Sequence, residues 1–252
     1  MNQLLDQAAV VLVRPKYSEN IGAAARIAAN MGVTRIIVVH DTEPDLQTML
    51  KMATHHAAHL IHAIERFSCL QEAVAPFNWI VGTSARKGRQ RRTMKHIKTA
   101  MQTTLPHLKN NPTAFLFGPE NSGLSNDDLK LCNIIATIPT ADFSSLNLAQ
   151  SVGIVLYELF SGVQELTTDS TPPTLPKLAS SQEMEEVYSL FEKTLQKIDY
   201  LKETDYNYMI YNIRHFLGRI GLRAREVKVI NGFCRHVLWL AEKTDQGGYR
   251  GH

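Results

Sequence analysis

Five short apolar runs do most to limit the folds open to this chain. They are Val10-Val11-Leu12-Val13, Ile36-Ile37-Val38-Val39, Trp79-Ile80-Val81, Ala114-Phe115-Leu116-Phe117 and Ile134-Ile135-Ala136-Thr137-Ile138. Each is nearly continuous in hydrophobicity instead of alternating, as strands covered on both faces require. Helical stretches separate them. Asn20 to Met31 is alanine-rich and stops at Gly32, a helix with its C-terminal glycine. Leu146 to Phe160 sets Leu148, Val152, Val155, Leu156 and Leu159 on one stripe and ends before Gly162. Strand and helix in alternation predict an α/β domain around a mainly parallel sheet.

The texture changes after Ser161. Thr167 to Pro176 has the Pro, Thr and Ser content of a linker. Ser180 and Glu183 are then spaced as a capping box, and Met184, Val187, Tyr188, Phe191, Leu195 and Ile198 follow at helical spacing. Two more helical stretches are expected near Tyr206–Ile220 and Ala224–Glu242, and the polar tail after Asp245 is expected to fray. The chain is long enough for one large core and a small second unit. Residues 1–162 are thus expected to form the α/β domain, 163–180 a linker and 181–245 a small α-helical unit. Helical spacing assigns Tyr206, Tyr208, Tyr211 and Phe216 to the core of that unit.

Composition narrows the setting. Hydrophobic residues make up 44% and charged residues 20%, the mix of a soluble globular protein. No apolar run approaches the roughly eighteen residues of a membrane span, and the N-terminus lacks the pattern of a signal peptide. Cys69, Cys132 and Cys234 stand alone, which argues against a zinc site or a disulfide framework. A cytoplasmic protein without metal or membrane partner is expected.

The net charge is only +3, but the 47 residues between Glu72 and Glu120 hold none of the 24 acids. Arg86, Lys87, Arg89, Arg91, Arg92, Lys95, Lys98 and Lys109 all fall there. Later, Arg214, Arg219, Arg223, Arg225, Lys228 and Arg235 face only Glu226 before Glu242. Such stretches suit a polyanion, because neutralising phosphates releases counterions. The plainer alternative is two solvated faces of a basic protein.

Several glycine-bearing or polar segments fall where strands are expected to end, the usual ligand side of a parallel sheet. They are Asn20 to Arg26, Val81 to Arg86, Phe117 to Leu124, and Ile138 to Ala149. None contains a dinucleotide-binding glycine triplet or a Walker lysine. Singly, each has an ordinary explanation. Gly118 and Gly123 can serve a tight turn, and Ser144 or Ser145 can cap a helix.

Together, and in this order, they resemble the SpoU/TrmH class of the SPOUT superfamily of RNA 2′-O-ribose methyltransferases. The resemblance rests on Asn20-x-Gly22 with Arg26, on Phe117-Gly118-x-Glu120-x-x-Gly123-Leu124, and on Ile138-Pro139 through Ser145-Leu146-Asn147-Leu148-Ala149. It runs from about Val10 to Phe160. The length, the helical unit with Val187-Tyr188-x-x-Phe191, and Gly82-Thr83-Ser84-Ala85-Arg86 are similar to the TrmJ branch, which methylates tRNA. Pro119 departs from that branch, where arginine is usual. The resemblance implies a trefoil-knotted α/β fold, a homodimer, S-adenosylmethionine as cofactor, and tRNA as substrate, with nucleotide 32 of the anticodon loop as the target.

The same resemblance implies site residues. Arg26, Asn20, Glu120, Ser145 and Asn147 would be catalytic. Thr83, Ser84, Ala85, Gly118, Ile138, Ser144, Ser145, Leu146 and Asn147 would hold the cofactor, with Gly118 admitting it closely and Ile138 and Leu146 as apolar walls. Methyl transfer to a ribose hydroxyl is an in-line displacement that needs near-attack geometry. A guanidinium is almost always protonated, so Arg26 is expected to position a phosphate and stabilise the developing oxyanion. Arg86, Lys87, Arg89, Arg91 and Arg92 are expected to guide the RNA backbone, and Arg214, Arg219, Arg223 and Arg225 to extend that surface or support the dimer. Ribosomal RNA or another tRNA position as substrate, and an inactive RNA-binding relative, are the competing readings.

Overall fold

The five apolar runs become the body of one seven-stranded sheet in which every pairing is parallel. In chain order the first unit runs α1 (Asn2–Leu5), β1 (Ala8–Val13), α2 (Ser18–Asn30), β2 (Arg35–Val39), α3 (Leu46–His62), β3 (Glu65–Phe67), α4 (Leu70–Val74) and β4 (Trp79–Thr83). It continues with β5 (Lys95–His96), α5 (Ile97–Thr104), β6 (Thr113–Phe117), α6 (Asn126–Lys130), β7 (Ile134–Thr137) and α7 (Leu148–Asp169). The computed structural model describes residues 2–85, 94–142, 145–169, 175–201 and 206–246. The chain divides into two compact units, Met1–Pro176 and Lys177–His252.

Spatial order in the sheet is β3-β2-β1-β6-β4-β7-β5. All six residues of β1 are buried, and so are all five of β6. Alternate residues serve opposite faces. Val10, Leu12, Phe115 and Phe117 join a core with α2, α3, α5 and α7, while Val11, Val13, Ala114 and Leu116 join one with α4 and α6. Covering both faces is why these strands are continuously apolar. Because β1, β6, β4 and β7 are neighbours, the segments leaving their C-terminal ends gather at one end of the sheet.

Some elements differ from the sequence reading. The two-residue β5 and three-residue β3 lie on the sheet edges and carry Lys95, His96, Glu65 and Arg66, so no apolar run marks them. Helix α3 was not foreseen; Asp45 starts it by accepting the Thr48 N–H at 2.7 Å, and a non-helical Thr54 (φ 62°) bends it. Helix α7 does not end before Gly162 but continues to Asp169. A Cβ at Gly162 would stand 2.4 Å from Leu105 Cδ1, so that glycine admits a close contact instead of stopping the helix.

The second unit consists of α8 (Ser181–Lys197), α9 (Tyr206–Ile220) and α10 (Ala224–Gln246). The capping box forms as spaced: Glu183 N donates to Ser180 Oγ (3.2 Å), and Ser180 N to Glu183 Oε2 (2.7 Å). Its core is small, built on Ala179, Val187, Leu217, Leu222 and Val227. Tyr208 and Phe216 are not part of it, being 70% and 54% exposed. The buried seam of α9 runs through Ile213 and Leu217 instead, which leaves Tyr208 and Phe216 exposed. Arg214 is also placed differently from the expectation. Its guanidinium forks onto Glu185 at 2.7 and 2.8 Å and lies 4.5 Å over the Tyr188 ring. Burial works against its charge, but the Glu185 contact outweighs this and raises its pKa. No helix among the described residues is long and apolar enough to cross a membrane.

Candidate active site

The loop after β6 is shaped by its glycines. A Cβ on Gly118 would meet Leu124 N at 2.1 Å and Gly123 C at 2.2 Å. Gly118 is therefore required by the loop folding back on itself, the tight-turn alternative that the sequence offered for it. Gly123 turns the chain with φ +64°, and its N–H returns to the Pro119 carbonyl at 2.8 Å. Past that turn, Ser125 and Asp128 form a capping box at the start of α6. The Arg14 guanidinium at the end of β1 pairs with the Asp128 carboxylate. The loop is thus anchored at its α6 end.

This loop forms one wall of a cavity of about 250 Å³. Thr83, Ser84 and Ala85 line it from the end of β4; Ile138, Ser145 and Leu146 line it from the segment after β7. Gly118 and Glu120 belong to the same lining, as do Phe117, Pro119, Asn121, Ser122 and Gly123. Seven of the expected cofactor residues (Thr83, Ser84, Ala85, Gly118, Ile138, Ser145 and Leu146) are therefore brought together. Ser144 lies outside the described residues, and Asn147 is not in the lining. Leu148 and Ser151 line the cavity but were not singled out. Their i, i+3 spacing at the start of α7 is the signal that places them on one face.

Asn147 has two other tasks. Its Oδ1 accepts the N–H groups of Ala149 (2.9 Å) and Gln150 (3.2 Å), so Asn147 caps α7. The alternative of a Ser145 cap fails because the helix starts at Leu148, and an N-cap side chain reaches the second and third helical N–H groups. Asn147 Nδ2 then donates to Asn20 Oδ1 at 2.9 Å, and Asn20 Nδ2 donates to Glu120 Oε1 at 2.6 Å. The other carboxylate oxygen, Oε2, accepts the Lys16 N–H at 2.9 Å. Each amide's orientation follows from this chain, since a carboxylate can only accept and the helix N–H groups can only donate. Three distant segments are tied at one point: Asn20 opens α2, Glu120 lies in the cavity loop, and Asn147 opens α7.

Gly22, in the same motif as Asn20, has a packing role. A Cβ there would fall 2.2 Å from Met49 O, so the glycine lets α2 lie against α3. Arg26 is on α2, exposed, and makes no hydrogen bond or ion pair among the described residues. The structure thus brings Asn20, Glu120 and Asn147 together, sets Ser145 in the neighbouring lining, and leaves Arg26 outside their bonded network. Arg86, Lys87, Arg89, Arg91 and Arg92 lie outside the described residues. No group of three metal-ligating side chains occurs among the described residues.

A small cavity with apolar and hydroxyl-bearing walls, bordered by a fixed carboxylate–amide network, suits a nucleoside-like ligand beside a polar acceptor. Comparison with known proteins points the same way. A model of the SpoU rRNA Methylase family matches residues 7–157, and a model of the tRNA methyltransferase TrmJ, C-terminal domain, matches residues 182–247. The tRNA (cytidine/uridine/adenosine-2′-O-)-methyltransferase TrmJ of Pseudomonas aeruginosa is 30% identical over 97% of this chain and 97% of its own. The crystal structure of TrmJ from Z. mobilis has a TM-score of 0.77 at 29% identity, covering 91% of this chain and 98% of that one. The SpoU methyltransferase AviRb from Streptomyces viridochromogenes, solved in complex with the cofactor AdoMet, shares the fold. Its TM-score is 0.50 at 24% identity, over 62% of this chain and 57% of that one.

Proposed function

The chain belongs to the SpoU rRNA Methylase family, and on that premise we propose that it methylates a ribose 2′-hydroxyl of tRNA, using S-adenosylmethionine. The observation that carries the proposal is the adjacency of cavity and network. Glu120 lines the cavity and is also the acceptor on which the Asn20–Asn147 chain ends. Bound in that cavity, S-adenosylmethionine supplies an electrophilic methyl group on a sulfonium. Phe117, Ile138, Leu146 and Leu148 give the apolar surface an adenosine needs, and the Thr83–Ala85 segment and Ser145 offer polar contacts.

On the acceptor side, Asn20 and Asn147 each use one amide N–H within the network and keep a second to hold a ribose oxygen. Holding the 2′-oxygen in near-attack geometry provides the entropic part of the rate enhancement. Exposed, and unpaired among the described residues, Arg26 is available to a phosphate and to the oxyanion that develops as the hydroxyl loses its proton. The reading includes a homodimer, a trefoil knot around the cavity, a cytoplasmic setting, and nucleotide 32 of the anticodon loop as target. The name of the Pseudomonas relative, and the matched C-terminal domain, support tRNA over ribosomal RNA. Incubation with methyl-labelled S-adenosylmethionine and separate tRNA and rRNA pools tests it. Label is expected in tRNA; no incorporation into any RNA would overturn the reading.

A further inference from the structure

Tyr17 breaks a local rule beside the site. It occupies the N-cap position of α2, extended at φ −120° and ψ 125°, and its side chain makes no capping hydrogen bond. Ser, Thr, Asp or Asn would stabilise that helix start, and tyrosine is a poor choice for it. The neighbouring Ser18 does not compensate, because its hydroxyl accepts the Asp45 N–H at 2.9 Å. Tyr17 is also 48% exposed. A residue that forgoes a cap and leaves an aromatic ring in water marks a position where local stability has yielded to another requirement.

The backbone around the ring is held firmly. Lys16 N is bonded to Glu120 Oε2 at 2.9 Å, the Tyr17 carbonyl receives the Asn20 N–H at 3.1 Å, and Ser18 is fixed to Asp45. Two of these three ties run to residues of the proposed acceptor network. The Lys16 ammonium lies 5.2 Å from the centroid of the Tyr17 ring. An exposed, pre-positioned ring with a cation at its face has the features of a stacking platform for single-stranded RNA, where bases are splayed onto aromatics and phosphates meet lysines.

We propose that Tyr17 stacks on the nucleobase of the nucleotide being methylated, with Lys16 beside it for the adjoining phosphate. This rests on the ribose-methylation reading. A ribose held by Asn20 and Asn147 carries its base on the carbon next to the 2′-carbon, so the base must lie immediately beside the network. Stacking is tolerant of base identity, because every base has a π-face. The platform would therefore fix the depth of the nucleotide in the site without selecting among bases by hydrogen bonds.

The test uses the full chain and an anticodon stem-loop RNA, intact or abasic at the mapped target nucleotide. With intact RNA, Tyr17→Ala is expected to raise KM roughly tenfold, within the range of one base stack, while Tyr17→Phe stays within about twofold of wild type. The affinity for S-adenosylmethionine should not change in either variant, which also shows that they are folded. Wild type should lose a similar factor on abasic RNA, and Tyr17→Ala should lose little more. An unchanged KM in Tyr17→Ala, equal further losses on abasic RNA in both proteins, or a shift in oligomeric state that accounts for the loss would overturn the stacking role. If wild type methylates no RNA, the ribose-methylation reading falls and the stacking role with it.

Discussion

The cavity and the polar network beside it are built in opposite ways. The cavity owes its shape to backbone: a loop folded so tightly at Gly118 that a single methyl group would collide with it, and turned at Gly123 by a positive φ, closed by the ends of β4 and β7. The network is made by side chains, with three residues up to 127 positions apart joined through hydrogen bonds of 2.6 and 2.9 Å. A wall of backbone tolerates changes of side chain but not of shape. A network of side chains tolerates small changes of shape but not of donor and acceptor. The two regions should therefore fail differently, one by losing the cofactor and the other by losing turnover.

The largest expected effect lies on the acceptor side. Arg26→Ala should lower kcat by at least about a hundredfold with little change in S-adenosylmethionine affinity, the signature of a group that acts on transition-state charge. Single-turnover rates and calorimetry on the same preparation read both quantities, and near-normal turnover would remove Arg26 from the chemistry. Gly118→Ala should do the reverse. Its Cβ would force open the loop, costing about 1–3 kcal/mol of stability and at least about tenfold in cofactor affinity. Unaltered affinity would break the claim that the cavity depends on that turn.

Asn147 separates its two tasks. Asn147→Asp keeps an oxygen for the Ala149 and Gln150 N–H groups but removes the donor to Asn20. It should leave thermal stability near wild type while lowering kcat about tenfold, in line with one lost hydrogen bond. Asn147→Ala should also lose about 1 kcal/mol of stability with the cap. Equal kcat in Asn147→Asp and wild type would detach the network from catalysis.

The smallest effect is expected far from both regions. His107 stacks on Trp79 at the start of β4, the opposite end of that strand from Thr83, and burial lowers its pKa from the ordinary 6.5. A base with a depressed folded pKa stabilises the fold fully above about 6.5 and loses that contribution as pH falls through the folded value. Melting curves should show a shallower acid-side fall for His107→Phe than for wild type. An identical slope would show that His107 does not contribute to it.

Much of this arrangement was legible in the sequence because burial on both faces leaves a plain signature. The runs at Val10, Ile36, Ile80, Phe115 and Ile134 announced the central strands, and the motif segments fell at their ends. Contacts that depend on distant partners left no such mark. The glycine at 162 reads as a helix stop until Leu105 is seen against it, and Gly118 reads equally as a turn or a ligand contact until Leu124 N is seen in its Cβ space, which accounts for the turn. Asn147 shows no sign of capping until the helix start is fixed at Leu148. Likewise, the periodicity of α9 indicated an apolar helix but not which of its faces would be buried, so Tyr208 and Phe216 were misassigned. Arg214 counted as basic surface until Glu185 was found opposite it.

The proposed destination of the methyl group is a ribose oxygen, held by the amides of Asn20 and Asn147 with Arg26 as the cation. The most direct measurement is nuclease digestion of tRNA methylated by the wild-type chain, with mass spectrometry to locate the methyl group. A 2′-O-methylated nucleotide in the anticodon loop, at position 32, is expected, together with its loss in Arg26→Ala. A methyl group found on a base, with the riboses unmodified, would contradict it.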